Sequence, residues 1–238
     1  MGAIKRRIRG TLHAWQAAWQ RHRALRLLSS VTSRQQLSKI IDREAPEYFL
    51  FSAHTSAERR SEFVSVADFL RIDVENCDFL DIGPGYGDAL DVCHERGARS
   101  ITFVEWDPFF CAHNRLKGYA TEHCLNHLRQ LHRLPERAFD LIWSKGCISA
   151  DHFERRRRRP RLRHWLDQLH QRARPGARVL LCPHWQTRHN ERVIEHPARS
   201  AFAQILGEAG YEILPSIRRH NTLLTYPVTF SRTVTEPP

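Results

Sequence analysis

The sequence has few of the features that mark membrane-spanning, secreted or disulfide-rich proteins. Its 238 residues contain no apolar run of about 18 residues, so no segment is predicted to span a membrane. The N-terminus lacks the uninterrupted apolar stretch of a secretory signal peptide. The six cysteines lie far apart and form no CxxC pair, so neither a disulfide framework nor a metal site is expected. These absences favour a cytoplasmic protein with reduced thiols.

Lysine is also scarce, and the basic charge is concentrated in two segments. Only four of the 37 Lys and Arg residues are lysine, and the formal net charge is +11. Residues 1–45 contain ten basic and two acidic residues, and residues 151–174 contain nine basic and three acidic residues. The rest of the chain is close to neutral. The high isoelectric point therefore does not by itself predict nucleic-acid binding.

Residues 1–45 are predicted to form a basic amphipathic helical leader, followed by a domain over residues 46–238. Apolar residues recur at helical spacing at positions 4, 8, 12, 15 and 19, with basic residues between them. A helix of this kind within residues 1–30 is suited to peripheral contact with an anionic surface such as the inner membrane. Packing of the leader on the domain, or contact with a second copy, are alternatives that the sequence leaves open.

Helix-like and strand-like segments alternate along the domain. Helices are predicted at 58–70, 87–97, 107–123, 161–176 and 198–210. Strands are predicted at 79–82, 100–106, 123–128, 139–144, 177–183, 211–217 and 226–233. This alternation predicts an α/β fold with a largely parallel sheet and helices on both faces.

A glycine-rich loop follows the first predicted strand, in the sequence DIGPGYG. The residues expected to contact a ligand there are Asp81, Gly83, Pro84, Gly85 and Gly87. The spacing is GxGxG and not the GxGxxG of dinucleotide-binding loops, so a pyrophosphate cofactor is not favoured. Glu105 ends the next strand, where a carboxylate can accept hydrogen bonds from both hydroxyls of a ribose. In a parallel sheet these residues meet at the carboxyl ends of the strands.

The segments LDIGPGYGDAL, ITFVEWDP, FDLIWSKGCI and ARVLLCP together resemble the class I, Rossmann-like S-adenosylmethionine-dependent methyltransferases, over residues 60–232. The resemblance implies a doubly wound, seven-stranded sheet with an antiparallel last strand, and S-adenosyl-L-methionine as cofactor. It also implies that the glycine loop lies under the methionine and ribose portions, with Ser144 at the methionine end. Glu105 would hold the ribose and Trp106 would lie against the adenine. Gln130 stands where the family often has an acidic residue for the adenine amino group.

The acceptor of the methyl group is less defined by the sequence. The fourth strand lacks the Asp/Asn-Pro-Pro-Tyr/Phe type of motif seen in many nitrogen-directed enzymes, which favours an oxygen acceptor. His152 and His184 are the candidate bases, because they fall in or near loops after the fourth and fifth strands. Lys145 and Arg155, the first of five consecutive arginines, are candidates for binding an acidic acceptor.

Three functions remain open on the sequence alone. The favoured hypothesis is O-directed methyl transfer to a small or lipid-linked acceptor of anionic or sugar-like character. An RNA methyltransferase is the second, favoured by the charge but without aromatic residues interleaved in the arginine run for base stacking. A non-catalytic cofactor-binding protein of the same fold is the third.

Overall fold

The computed structural model describes residues 56–119, 121–124, 130–149, 159–184, 201–214 and 229–235, together with residues 22, 26, 30 and 36. Most of the leader predicted over residues 1–45 lies outside the described residues, so the division into leader and domain stays a prediction. Within the described ranges, no helix is both long and apolar enough to cross a membrane.

Helices and strands alternate through the described ranges. The helices are α1 (Ser56–Phe69), α2 (Asp88–Glu95), α3 (Pro108–Leu116), α4 (Arg159–Arg172) and α5 (Ala201–Glu208), with one 3-10 turn at Leu131–Arg133. The strands are β1 (Asp78–Ile82), β2 (Ser100–Glu105), β3 (Thr121–Cys124), β4 (Phe139–Ser149), β5 (Ala173–His184), β6 (Glu212–Ile213) and β7 (Phe230–Thr233).

The seven strands form one sheet in the order β3-β2-β1-β4-β5-β7-β6. The pairs among β1 to β5 are parallel, whereas β7 runs antiparallel to both β5 and β6. Chain order reverses between β1 and β4, so the carboxyl end of β1 lies at the point where open α/β sheets bind ligands. The predicted doubly wound sheet with an antiparallel last strand is confirmed.

The prediction was wrong around the third strand. The helix expected over 107–123 ends at Leu116, and β3 begins at Thr121 and not near residue 123. Gly118 has a φ of +90°, a left-handed conformation that commonly terminates helices. Among the described strands β3 pairs only with β2, so its polar sequence does not have to fill the centre of the sheet.

Both faces of the sheet are covered by helices. Phe79 and Leu80 on β1 are fully buried on opposite faces, as the two-residue period of a strand requires. Leu80 belongs to the apolar cluster that includes Trp165 of α4, and Phe79 to the cluster that includes Phe63 of α1. The sheet is therefore buried on both sides, and its strand ends are left for polar groups.

The amino ends of the central strands are tied together by charge. Arg99 contacts the Asp78 carboxylate at 2.5 Å, and Arg174 contacts Asp78 at 2.6 Å and Asp140 at 2.7 Å. Asp140 also accepts a hydrogen bond from the Asp78 backbone at 2.8 Å. The Arg99 side chain holds the pKa of Asp78 below its usual range, by hydrogen bonding, against the opposing effect of burial. These charges pair with each other, whereas the carboxyl ends of the strands carry the predicted site.

Candidate functional site

The loop between β1 and α2 is built on three glycines with positive φ. Gly83, Gly85 and Gly87 have φ values of +74°, +55° and +74°, which side-chain-bearing residues rarely adopt. The Gly83 amide donates to the Val104 carbonyl at 2.7 Å, and the Gly87 amide donates to Pro84 at 2.9 Å. The loop is thus anchored to β2 at its start and closed by a tight turn before α2.

The three glycines are required for different reasons. A Cβ atom at Gly83 would collide with the Cys147 sulfur, and one at Gly87 would collide with Asn114 Oδ1. At Gly85, by contrast, no atom of the described residues lies within 4 Å of where a Cβ would be. Packing therefore explains two of the glycines, whereas at the third no described atom stands where a side chain would be.

Glu105 lies beside Gly85 at the end of β2. Its side chain is buried, with 4% of the residue exposed. One carboxylate oxygen accepts from the Trp106 and Asp107 amides at 2.8 and 2.9 Å, and the other accepts from the Gly85 amide at 3.4 Å. Burial raises the pKa of Glu105, while these backbone hydrogen bonds act in the opposite direction. The carboxylate is held in one orientation beside the glycine loop.

Asp81 places a second acid at the end of β1, with only 2% of the residue exposed. Burial is the largest cause that raises its pKa, and the charges of Glu105 and Asp88 add to it. The charge of Glu105 therefore acts on Asp81, and the two carboxyl groups form a region of negative potential. Such a region favours a cationic ligand or one that donates hydroxyl hydrogens.

The remaining predicted cofactor residues lie around this edge in different settings. Trp106 follows Glu105 and is 60% exposed, so its ring is available to a ligand. Ser144 is buried on β4 and pairs in register with Ile82. Pro84 is partly buried in the turn. Gln130 is partly buried immediately before the 3-10 turn, in the segment between β3 and β4.

Cys147 was not predicted as a site residue, yet its thiol lies against the loop. The sulfur donates to the Ile82 carbonyl at 3.0 Å, 65 residues earlier in the chain. Burial raises the pKa of Cys147 well above its ordinary value, and the charges of Glu105 and Asp81 act in the same direction. A raised pKa disfavours the thiolate, which is the nucleophilic form, and the contact that the structure shows for Cys147 is packing against the loop. The continuation of β4 beyond Ser144 was the feature that sequence reasoning missed.

Lys145 is paired within the protein. Its ammonium contacts the carboxylate of Glu62 on α1, and both side chains are largely buried. Burial lowers the pKa of Lys145 to about 8; Cys182 opposes this shift and Arg59 adds to it. An acidic acceptor would therefore meet a Lys–Glu pair and not an isolated cation.

The first turn of α1 closes over the loop. The Arg59 guanidinium forms an ion pair with Asp88 at the start of α2 and lies over the Tyr86 ring, 5.2 Å from its centroid. The Tyr86 ring also packs edge-on against Phe110. These contacts place α1 beside the same strand ends as Asp81 and Glu105.

Three of the predicted acceptor residues have no described side chain. His152 and Arg155 lie outside the described residues. His184 is the last residue of β5, where its backbone is in register with Ser149, and its side chain is not among those described. Their roles stay predictions.

The strand order, with its antiparallel β7 between β5 and β6, defines the class I, Rossmann-like methyltransferase fold, and solved structures share it. An S-adenosylmethionine-dependent methyltransferase from Mesorhizobium loti is 16% identical with a TM-score of 0.50, covering 71% of this chain and 95% of its own. A candidate S-adenosyl-L-methionine-dependent methyltransferase from Methanococcus maripaludis is 13% identical with a TM-score of 0.51, covering 87% of this chain and 95% of its own. No protein-family model and no curated protein matches the sequence. At these identities the likeness establishes the fold.

Proposed function

We propose that this protein is an S-adenosylmethionine-dependent methyltransferase. The observation that carries the proposal is the position of Gly85, where no described atom lies within 4 Å of an added Cβ, next to the fixed and buried carboxylate of Glu105. Glycine at a positive φ lets a ligand approach the backbone, and the carboxylate offers lone pairs to a ribose. Dinucleotides are bound through the same two features, and the GxGxG spacing of this loop, in place of GxGxxG, favours S-adenosylmethionine over them.

The described residues fit this cofactor. Glu105 would hold the ribose, the exposed ring of Trp106 would lie against the adenine, and the loop around Gly85 would face the methionine portion. Gln130 and Ser144 are assigned to the adenine and methionine ends, as the family resemblance suggests. The bound cofactor supplies an electrophilic methyl group on a sulfonium centre. The negative potential of Asp81 and Glu105 suits this positive charge.

The residues of this chain contribute mainly binding and alignment. Methyl transfer to an acceptor is an in-line displacement, so its rate depends on holding the two reacting atoms in line and on excluding water. The turn at Gly87 and the anchor of Gly83 to β2 fix the loop on which the donor would rest. An oxygen acceptor must also lose a proton, and His152 and His184 are the proposed bases.

The proposed acceptor is a small or lipid-linked molecule of anionic or sugar-like character. Support comes from the five arginines at 155–159, which follow β4 in the sequence, and from Lys145 on β4. The Lys145–Glu62 pair would bind such an acceptor through both an acidic and a hydroxyl group. Residues 155–159 would attract it by long-range charge, an effect that salt screens within roughly 10 Å.

Calorimetry of the full chain with S-adenosylmethionine and S-adenosylhomocysteine tests the cofactor assignment, and saturable binding of both is expected. Methyl-labelled cofactor is then supplied with cell extract separated into lipid, small-molecule and RNA fractions. Label in the lipid or small-molecule fraction supports the proposed acceptor, and label in RNA with a steep salt dependence supports the alternative. Failure to bind either cofactor form refutes the methyltransferase assignment. Binding without transfer to any fraction leaves a cofactor-binding protein of the same fold.

A further inference from the structure

The backbone of the glycine loop is hydrogen-bonded by side chains of α3 and of Lys117, the residue that follows α3. The side-chain amide of Asn114 donates to the Gly85 carbonyl at 2.8 Å and to the Phe110 carbonyl at 3.0 Å. Asn114 is fully buried, with 0% of the residue exposed. A buried amide that donates to a loop carbonyl 29 residues away restricts that loop without reaching solvent.

A second loop carbonyl is held by two donors from the same region. The His113 ring lies 3.2 Å from the Tyr86 carbonyl through Nε2, and the Lys117 ammonium lies 2.5 Å from it. Burial lowers the pKa of His113 to about 3, and the Lys117 charge acts in the same direction. The neutral ring must carry its hydrogen on Nε2, because a carbonyl can only accept. Lys117 also pairs with Asp91 of α2 at 2.8 Å, which fixes its ammonium in place.

Both polar groups of Gly85 are thus held by the segment that runs from β2 into α3. Glu105 accepts from its amide and Asn114 donates to its carbonyl. Asn114 Oδ1 also fills the position that a Cβ at Gly87 would take. Glycine has no side chain to restrict its backbone, so a loop with three of them needs such outside contacts to keep one conformation.

We propose that Asn114 and Lys117 are positioning residues that set cofactor affinity by holding the Gly85–Tyr86 backbone in its binding conformation. The inference rests on the proposed function, because the affinity concerned is that for S-adenosylmethionine. It goes beyond it, because neither side chain is assigned to the cofactor. The two side chains contact the backbone of the loop, and that backbone is the part of the protein that we propose to contact the cofactor.

The test compares three variants with a matched control. Asn114→Leu removes the donor but keeps most of the side-chain volume, whereas Asn114→Ala removes both. Lys117→Met removes the donor to Tyr86, together with the ion pair to Asp91, from a side chain that is 12% exposed. Ser65→Ala is the control, because it removes a side-chain hydrogen bond to a backbone carbonyl, 2.6 Å from Ser61, within α1.

Two readouts are measured well below each variant's unfolding temperature. The first is the affinity for S-adenosylhomocysteine by calorimetry, which we expect to fall about 5- to 30-fold, as the loss of one or two kcal/mol produces. The second is hydrogen exchange of the amides of residues 83 and 85–87 without ligand, which we expect to accelerate while the amides of β1 stay protected. Ser65→Ala should change neither readout.

The outcomes separate this proposal from the proposed function. If the wild type binds no cofactor, the proposed function fails, and the exchange data still decide whether these donors hold the loop. Hydrogen exchange that is unchanged in the Asn114 variants and in Lys117→Met overturns the proposal. If the wild type binds the cofactor and these variants bind it with the same affinity, the proposal is overturned as well. If Asn114→Leu behaves as the wild type while Asn114→Ala does not, volume and not donation matters, which also overturns it. Should both Asn114 variants fail to fold, Lys117→Met supports or overturns the proposal through the same two readouts.

Discussion

Replacing Gly85 with alanine tests whether a ligand approaches the loop backbone, because the loss of cofactor affinity can be compared with the loss of stability caused by backbone strain. Gly85 has a φ of +55°, and none of the described atoms lies within 4 Å of the added methyl group. The substitution therefore costs only the strain of a left-handed backbone, about 1–2 kcal/mol. For a chain of 238 residues this corresponds to a fall of about 2–8 °C in melting temperature.

A matched control is available in Gly176, near the amino end of β5 and therefore at the opposite end of the strands from the glycine loop. It has a φ of +84°, and a Cβ there would likewise meet no atom of the described ranges within 4 Å. Gly176→Ala should show a similar loss of stability, because the backbone strain is of the same kind. Only Gly85→Ala adds a methyl group where the cofactor backbone contact is proposed. A displacement of about 1 Å in a reacting group costs on the order of 100-fold in rate.

The assay measures melting temperature, S-adenosylhomocysteine affinity and the rate of methyl transfer for both variants. We expect Gly85→Ala to lose at least about 10-fold in affinity, or about 1.4 kcal/mol, and Gly176→Ala to bind as the wild type does. Equal affinity in the two variants would show that no ligand approaches Gly85, and the assignment of the loop would be wrong. A collapse of folding in Gly85→Ala alone would show that the space beside it is filled by protein.

Three further predictions follow from the same edge of the sheet. Glu105→Gln keeps an acceptor for the neighbouring amides but loses the charge, so calorimetry should show cofactor affinity lowered about 10- to 100-fold, as the loss of a charge-assisted bond implies; full affinity would contradict the ribose assignment. Gly83→Ala should destabilise by about 1–3 kcal/mol beyond backbone strain because it overpacks against Cys147, and adding Cys147→Ala should recover part of that loss in urea unfolding; additive losses would argue against the contact. His113 has a pKa of about 3 when folded and 6.5 as a free side chain, so the unfolded state binds more protons between these values and stability falls as pH decreases from 6.5. The contribution to the free energy of unfolding is on the order of 3–5 kcal/mol over the whole pH range between the two pKa values. His113→Gln should flatten the dependence of the unfolding free energy on pH between 6.5 and about 4.5. An unchanged slope would show that His113 is protonated in the folded state.

The central part of the site could be predicted because its signals are local. A short apolar strand, three glycines and a helix within residues 79–95 indicate the βα unit, and all five residues of β1 are buried as a central parallel strand requires. Glu105 follows from the same rule applied to β2. The order of the strands then follows from right-handed crossovers and the family resemblance.

The contacts that hold the loop could not be predicted, because they join residues distant in the chain. Asn114 lies 29 residues after Gly85, and Cys147 lies 65 residues after Ile82. Neither residue type at its position has a periodic or spacing signal, and each role depends on how α3 and the end of β4 pack in three dimensions. The same holds for the pairing of Lys145 with Glu62, which changes an apparently available cation into half of an ion pair.

The direction of α1 determines where the preceding chain meets the domain. Its first turn contacts Asp88 through Arg59, beside the glycine loop, while Asp68 near its other end contacts Arg96 beyond the end of α2. Ser56, the first residue of α1, consequently lies on the ligand side of the sheet. Residues 46–55 can span at most about 35 Å when fully extended. If residues 1–45 rest on a lipid surface, Ser56 would lie no farther than that distance from it, with the ligand side of the sheet within reach of lipid headgroups.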